Sequence, residues 1–135
     1  MTVLQAARYF YNAGFRGTGL ITITAIAGAE SEYNPNATNT AGNKNGIDVG
    51  LAQINTYWHP QYSYNKLFDP QYNANAAFAI SNKGTNFTPW VTYKNDLHLK
   101  YLAASKQAAA KFGNSGWQAI VIVAITCYIL YKLIK

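Results

Sequence analysis

The first third of the chain alternates between apolar runs with helical spacing and short polar breaks. Apolar side chains recur at intervals of three and four over residues 3–12, which predicts a helix that ends at Gly14. Residues 19–31 are more continuously apolar and predict a second helix, with Thr18 as its N-cap. Because Pro35 disfavours helical geometry at the residue before it, we expect the second helix to end before this proline.

The middle of the chain is more polar, and its pattern is less decisive. Residues 36–47 are rich in Asn, Thr and Gly, and they fit a small β-hairpin and an irregular loop equally well. The apolar residues that follow predict a third helix that begins at Gly50. Asp69 followed by Pro70 predicts the N-cap and the first position of a helix that runs to about residue 82.

Two further helices are predicted before the C-terminal segment. Thr88 and Pro89 suit the start of a short helix, and residues 97–112, rich in Ala and Lys, predict a longer one. We therefore expect one mainly α-helical domain over residues 1–113, followed by a hinge at residues 114–116.

The C-terminal segment, residues 117–135, is apolar on all sides apart from Lys132 and Lys135. As a helix it spans about 27 Å at about 1.5 Å per residue, close to the roughly 30 Å of a bilayer core. It predicts a single membrane-spanning helix, with the two lysines on the cytoplasmic side and the domain on the opposite, cell-wall side. A helix buried against protein is the alternative.

Composition limits the partners and the chemistry. The chain of 135 residues has room for one domain, and its net charge of +6 suits an anionic polymer or an anionic lipid surface. The basic residues are dispersed, so we expect no nucleic-acid binding. Cys127 is the single cysteine, which excludes an internal disulfide, and no residue pattern indicates a metal or another cofactor. We interpret His59 and His98 as structural or surface residues.

Two carboxylic acids in contrasting surroundings are the candidates for catalysis. Glu30 falls in the last turn of an apolar helix, where desolvation and the negative end of the helix dipole raise the pKa of a carboxyl group and suit it to act as a general acid. Asp48 follows a polar loop, where solvation and hydrogen bonds keep a carboxyl group ionised. Glycosidases use such a pair. A solvated helix-end Glu and a turn Asp explain the same spacing without catalysis.

The motifs around these acids resemble the lysozyme superfamily. Glu30–Ser31, the turn Tyr-Asn-Pro-Asn-Ala at residues 33–37 and the segment Gly-Leu-Ala-Gln-Ile-Asn at residues 50–55 are similar to those of lytic transglycosylase (SLT, goose-type-like) domains of bacteria and phages. Residues 48–55 also resemble the Asp-Tyr-Gly-x-x-Gln-Ile-Asn segment of animal-type lysozymes. The resemblance implies a lysozyme-like α+β domain, mainly α-helical, with a small β-hairpin.

The resemblance also implies a reaction and a set of site residues. The reaction is cleavage of the β-1,4 bond between N-acetylmuramic acid and N-acetylglucosamine in peptidoglycan, with Glu30 as the catalytic acid and Asp48 as its partner. Aromatic rings stack on sugars, and amides and hydroxyls hydrogen-bond to them. On these grounds the predicted substrate-binding residues are Ser31, Gln53, Asn55, Trp58, Tyr62 and Tyr93.

Several functions remain open on the sequence alone. The resemblance to phage-borne domains favours a lytic transglycosylase, which uses the sugar's own 6-hydroxyl to close an anhydro ring and needs no second carboxylate. A lysozyme-type muramidase, which would use Asp48 and water, is the alternative. A non-catalytic membrane-anchored scaffold on the same fold would need neither acid, and a small hole-forming membrane protein would act through residues 117–135 alone.

The predicted setting follows from the two ends of the chain. The N-terminus lacks the charged start and apolar run of a secretory signal, and the C-terminal segment predicts a membrane anchor. We therefore expect a virion-associated protein that penetrates the cell wall locally during phage entry, in a virion membrane or the host inner membrane. Its expected partners are peptidoglycan glycan strands, the lipid bilayer and other virion or envelope-machine proteins. A tail-anchored bacterial enzyme is the alternative.

Overall fold

The structure, a computed structural model, describes residues 1–40, 45–113 and 127–134. It is mainly α-helical with a small antiparallel sheet, as the sequence predicts. The α-helices are α1 (Val3–Ala13), α2 (Gly17–Ser31), α3 (Pro70–Ile80), α4 (Val91–Lys94) and α5 (Leu102–Ala110), and short 3-10 helices occupy Lys66–Phe68 and Leu99–Tyr101. Residues 127–134 are also helical and are exposed to solvent.

The sheet has three short strands, β1 (Thr38–Asn39), β2 (Asp48–Val49) and β3 (Ile54–Asn55), in that order. Each strand is antiparallel to its neighbour, and Asp48 pairs with Asn39 on one side and with Asn55 on the other. The expected small β-hairpin is confirmed in β1 and β2. Residues 41–44 of its connection lie outside the described residues.

The predicted helix at Gly50 is wrong. Residues 50–53 form the turn that joins β2 to β3. Gly50 has a φ of +79° and Gln53 a φ of +51°, and these left-handed conformations interrupt a helix. A Cβ at Gly50 would also collide with the side chain of Asn73 and the carbonyl oxygen of Leu67. The apolar run that suggested a helix is buried because the turn itself lies in the core.

The ends of the first two helices follow local chemistry that was only partly predicted. Thr2 caps α1 through a reciprocal capping box, and Gly14, with a φ of +124°, ends it as expected. The predicted N-cap Thr18 is wrong, because α2 begins at the preceding residue. Its N-cap is Arg16, which makes no capping hydrogen bond through its side chain.

The later helices are shorter than predicted. The side chain of Asp69 accepts two backbone N–H bonds at the start of α3, with Pro70 in the first turn, as expected. This helix ends at Ile80 rather than near residue 82. Of the helix predicted over residues 97–112, only α5 (Leu102–Ala110) is α-helical. Asp96 before it adopts a left-handed φ of +59°, and a 3-10 turn follows at Leu99–Tyr101.

Helix α2 is the centre of the fold. It is apolar all round and is buried along most of its length, as such helices generally are. Helices α1, α4 and α5 pack against it. A Cβ at Gly28 would overlap the ring of Tyr101, so the last turns of α2 are closely packed on the 3-10 turn before α5. This packing fixes the position of the acid in the last turn, Glu30.

The predicted membrane helix is mostly outside the part of the chain that the structure describes. Residues 117–126 and 135, with the hinge at residues 114–116, are not among the described residues. Within residues 1–40, 45–113 and 127–134, no helix has both the length and the apolar character needed to span a bilayer.

Candidate active site

Glu30 lies where two cavities meet on the surface. The first cavity has a volume of about 430 Å³ and the second about 490 Å³. Glu30 and Gln53 line both cavities. These volumes fall within the range of small-ligand sites. We call the two cavities together the groove.

The half-buried carboxyl group of Glu30 contacts a threonine from a distant part of the chain. Thr92, on α4, donates a hydrogen bond of 2.7 Å from Oγ1 to Glu30 Oε1. Burial raises the pKa of Glu30 above its usual range, the Thr92 hydrogen bond partly offsets this shift, and the charge of Asp48 adds to it. A carboxyl group with a raised pKa retains its proton nearer to neutral pH, as a general acid must.

Asp48 faces the same cavity as Glu30 from the sheet. Its position on β2 places it opposite Asn55 on β3, and Asn55 Nδ2 donates to Asp48 Oδ1 at 2.9 Å. Asn55 Oδ1 accepts the backbone N–H groups of Tyr57 and Trp58 at 2.9 and 3.1 Å, so the orientation of the amide is fixed. Asn55 also lines the first cavity, and its amide positions the second carboxyl group.

Ser31 joins the end of α2 to the turn between β2 and β3. Its Oγ lies 2.7 Å from the carbonyl oxygen of Leu51 and 3.0 Å from that of Ala27, and both oxygens accept from the hydroxyl. The predicted substrate-binding residue thus ties together the two elements that carry Glu30 and Asp48. It also lines the second cavity.

Gln53 forms part of the floor of the groove. It is buried, and its Nε2 donates to the carbonyl oxygens of Ala37 and Gly50 at 3.0 and 2.9 Å. Because both hydrogens of the amide are engaged, a contact with a sugar would use the amide oxygen. The left-handed backbone of Gln53 is the kind of local strain that occurs at functional sites.

Of the three predicted aromatic contacts, one lines the groove. Trp58 is 66% exposed and lies at the first cavity. Tyr62 is half-buried and packs edge-on against Tyr72, with ring centroids 6.2 Å apart, and it is not among the residues that line either cavity. Tyr93 packs on His98 at 4.9 Å and does not line the groove either. Both rings pack against neighbouring aromatic side chains, and their predicted contacts with the sugar stay predictions.

Sequence reasoning missed the contribution of α4 through Thr92. The resemblance pointed to Tyr93 as a substrate-binding residue and gave no role to its neighbour Thr92, which contacts Glu30. Trp90 precedes α4 and donates from Nε1 to the carbonyl oxygen of Ala52 at 2.8 Å, which anchors the helix to the β2–β3 turn. The helix begins at Val91 rather than at Thr88. The contact spans 62 residues, and no local pattern could have indicated it.

His59 also lines the first cavity, which its interpretation as a structural residue did not anticipate. Burial lowers the pKa of His59, which favours the neutral imidazole. His98 is buried against Tyr93, and its Nδ1 has no hydrogen-bond partner among the described residues.

Comparison of the sequence with known protein families assigns this chain to a family. A family model described as "Lysozyme like domain" matches residues 7–92, more than half of the 135 residues. The chain belongs to the lysozyme-like domain family. Comparisons with curated proteins and with solved structures gave no significant match.

Membership in the lysozyme-like domain family implies a glycoside-cleaving enzyme whose substrate is peptidoglycan. The matched range includes Glu30, Asp48 and Thr92, so the three parts of the candidate acid site lie within the family domain. Helix α5 lies beyond the matched range and packs against α1 and α2.

Proposed function

We propose that the protein cleaves the β-1,4 bond between N-acetylmuramic acid and N-acetylglucosamine, with Glu30 as the general acid. The observation that carries this proposal is the pairing of two carboxyl groups at one cavity. Glu30 is partly desolvated at the end of α2, and Asp48 lies on the sheet beside a hydrogen-bond donor. Two carboxyl groups in different environments suit the acid and the charge-stabilising roles of a glycosidase.

Glu30 supplies the proton in the first step. As the bond between the sugars breaks, the proton passes from the carboxyl group to the leaving glycosidic oxygen, and positive charge develops on the sugar that remains bound. Glu30, now a carboxylate, then serves as the base that activates the attacking nucleophile, which is water in a hydrolase and the sugar's 6-hydroxyl in a transglycosylase. The raised pKa of Glu30 supports the first role because it keeps the group protonated before the reaction.

Asp48 supports a lysozyme-type muramidase. An ionised carboxylate at the cavity stabilises the positive charge on the sugar or traps it covalently, and water completes the hydrolysis. The Asn55 amide donates to Asp48 Oδ1 and thereby holds this carboxyl group in place at the cavity. Because a lytic transglycosylase needs no second carboxylate, this arrangement favours the hydrolase.

A lytic transglycosylase is the second candidate, and the Glu30–Ser31 motif supports it through its resemblance to those domains. In that reaction the 6-hydroxyl of the muramic acid attacks in place of water and forms a 1,6-anhydro ring. Glu30 would act first as acid and then as base, and Asp48 would be structural.

The mass of the reaction products distinguishes the two candidates. We expect the full-length protein to release muropeptides with a reducing end from purified peptidoglycan, and Asp48→Asn to lose at least about 100-fold in rate, since it removes charge stabilisation. Asp96→Asn is the matched control. Asp96 is exposed, does not line the groove and has a left-handed φ that Asn tolerates. Products lighter by one water, together with an active Asp48→Asn, would establish the transglycosylase instead.

For the cellular setting, we propose attachment to a membrane through residues 117–135, in a virion or at the host inner membrane. The apolar sequence of that segment and the two lysines at its end support this proposal. Flotation of the full-length protein with phospholipid vesicles tests it, with replacement of residues 117–131 by a Gly/Ser linker as the control. Equal flotation of the two proteins would contradict the anchor.

A further inference from the structure

The first cavity carries one fixed positive charge beside its two acids. Among the described residues that line it, Lys94 is the only lysine or arginine. Lys94 is exposed and is the last residue of α4. Because Glu30 and Asp48 make the cavity negative when they are ionised, a lysine at its wall offsets the repulsion that an anionic substrate would meet there.

Helix α4 holds this lysine in a defined place. Trp90, just before the helix, is hydrogen-bonded to the β2–β3 turn, and Thr92 is hydrogen-bonded to Glu30. Two residues along a helix advance only about 3 Å along its axis. The charge of Lys94 is therefore presented from the same short helix that contacts the proposed catalytic acid.

An exposed apolar side chain lies next to this charge. Val91 lines the same cavity and is 58% exposed, so its side chain does not contribute to the core. An apolar surface beside a cation suits a ligand with a carboxylate on a short, partly apolar arm. The polysaccharide backbone of peptidoglycan is uncharged where its sugars are N-acetylated, whereas its peptide stems begin with apolar groups and carry carboxylates.

We propose that Lys94 binds a carboxylate of the peptide stem, so that the protein selects glycan strands that carry anionic peptides. Val91 contacts the apolar part of the same stem. This inference rests on the proposed function, since it assigns a substituent of the strand to one wall of the groove. It makes Lys94 a specificity-determining residue rather than a catalytic one.

The test compares two forms of one substrate. Peptidoglycan is freed of phosphodiester-linked polymers with hydrofluoric acid, and half of the preparation is then treated with a carbodiimide and methylamine, which converts the carboxylates to neutral amides. We expect the full-length wild-type protein to cleave the untreated strands about three- to fivefold faster in kcat/KM, the range that a partly exposed ion pair supports. Lys94→Gln should abolish this preference, and Lys94→Arg should retain it.

Controls separate Lys94 from general effects of charge. Lys106→Gln removes an exposed lysine on α5 that does not line the groove, so it should keep the wild-type preference. High salt should narrow the preference of the wild type, because ions screen an exposed pair. The rate on amidated strands should be the same for the wild type and Lys94→Gln, because no carboxylate remains for the lysine to bind.

Three results would overturn the inference. An equal preference for untreated over amidated strands in the wild type and Lys94→Gln would show that the lysine does not bind the carboxylate. An equal loss on both substrates would show that it acts on the acids instead. The same comparison is repeated with peptidoglycan that has not been treated with hydrofluoric acid. If only that material shows the preference, the anion that Lys94 binds is a phosphodiester. Failure of the proposed function is distinguishable, because the wild type would then cleave neither form of the substrate.

Discussion

At the scale of single residues, the decisive feature is how the surroundings of Glu30 set its proton affinity. Burial and the Asp48 charge raise its pKa, while the hydrogen bond from Thr92 opposes them. A hydroxyl group that donates to a carboxylate stabilises the ionised form. Thr92 therefore holds the Glu30 carboxyl group in place and limits how far its pKa rises.

Replacing Thr92 by valine tests this role, because the two side chains have nearly the same shape and valine lacks the donor. We expect Thr92→Val to raise the pKa of Glu30 further and to move the basic limb of the pH–activity profile to higher pH, since that limb reports loss of the proton from the acid. Thr92→Ser keeps the donor and should restore the wild-type profile. Identical profiles for Thr92→Val and Thr92→Ser would contradict the role assigned to the hydroxyl.

Much of the acid site could be predicted from the sequence, because its two acids sit in recognisable local contexts. Glu30 ends an apolar helix and Asp48 follows a polar loop, and both face one cavity. Thr92 could not be found in this way, because its hydrogen bond joins residues 62 positions apart. The family resemblance drew attention to Tyr93 as a substrate-binding residue and gave no role to Thr92.

At the scale of elements, the turn between β2 and β3 joins the parts of the groove. It accepts hydrogen bonds from Ser31 at the end of α2 and from Trp90 before α4. Asn73 on α3 is fully buried and hydrogen-bonds to this turn. Its Oδ1 accepts from Ala52 N at 2.9 Å, and its Nδ2 donates to two carbonyl oxygens at 2.8 and 3.0 Å.

Removing the Asn73 amide should destabilise the fold strongly. We expect Asn73→Ala to lower the free energy of unfolding by about 3 kcal/mol or more, because buried backbone groups lose their partners. Urea denaturation measures the change. Asn75→Ala, an exposed position on the same helix, should change the free energy of unfolding by no more than about 0.5 kcal/mol. Similar values for the two variants would show that the turn does not depend on Asn73.

The helices were more predictable than this turn. Periodicity and local caps predicted α1, α2 and α3, because Gly14 and Asp69 act within one turn of the chain. The apolar run after Gly50 fits a helix and a buried hairpin alike. What decides between them is close packing of the turn against α3, which is a tertiary contact that the sequence pattern does not display.

At the scale of the whole molecule, the role proposed for Glu30 and the stability of the fold oppose each other. The folded state holds this carboxyl group partly desolvated at the end of a buried helix, whereas the unfolded chain exposes it to water. Its pKa is thus higher in the folded state, so stability falls as pH rises from the unfolded pKa through the folded one. The raised pKa that the proposed mechanism requires therefore lowers the stability of the fold near neutral pH.

Glu30→Gln should therefore raise the thermal midpoint at neutral pH, because glutamine keeps an acceptor for Thr92 and cannot ionise. Below the usual pKa range of glutamic acid, both proteins are uncharged at this position, and the difference should vanish. Thermal unfolding followed by circular dichroism at several pH values measures this effect. A variant that is less stable than the wild type at neutral pH would contradict the desolvation assigned to Glu30.

The net charge of +6 on the chain and the two cavities that Glu30 lines suit the protein to an anionic polymer. The assignment of peptidoglycan comes from the family, and that of the acid comes from the geometry. The central claim that remains to be tested is that the Glu30 carboxyl group is the general acid that cleaves the glycosidic bond.

The most direct test of that claim is the rate at which full-length wild type and Glu30→Gln release soluble fragments from purified peptidoglycan, with Asp96→Asn as the control. We expect the wild type and the control to cleave at similar rates, and Glu30→Gln, shown to be folded by circular dichroism, to be slower by at least about 100-fold. Cleavage by Glu30→Gln at the wild-type rate would contradict the assignment of the acid. A folded wild type that releases no fragments would instead favour a non-catalytic scaffold on the lysozyme-like fold.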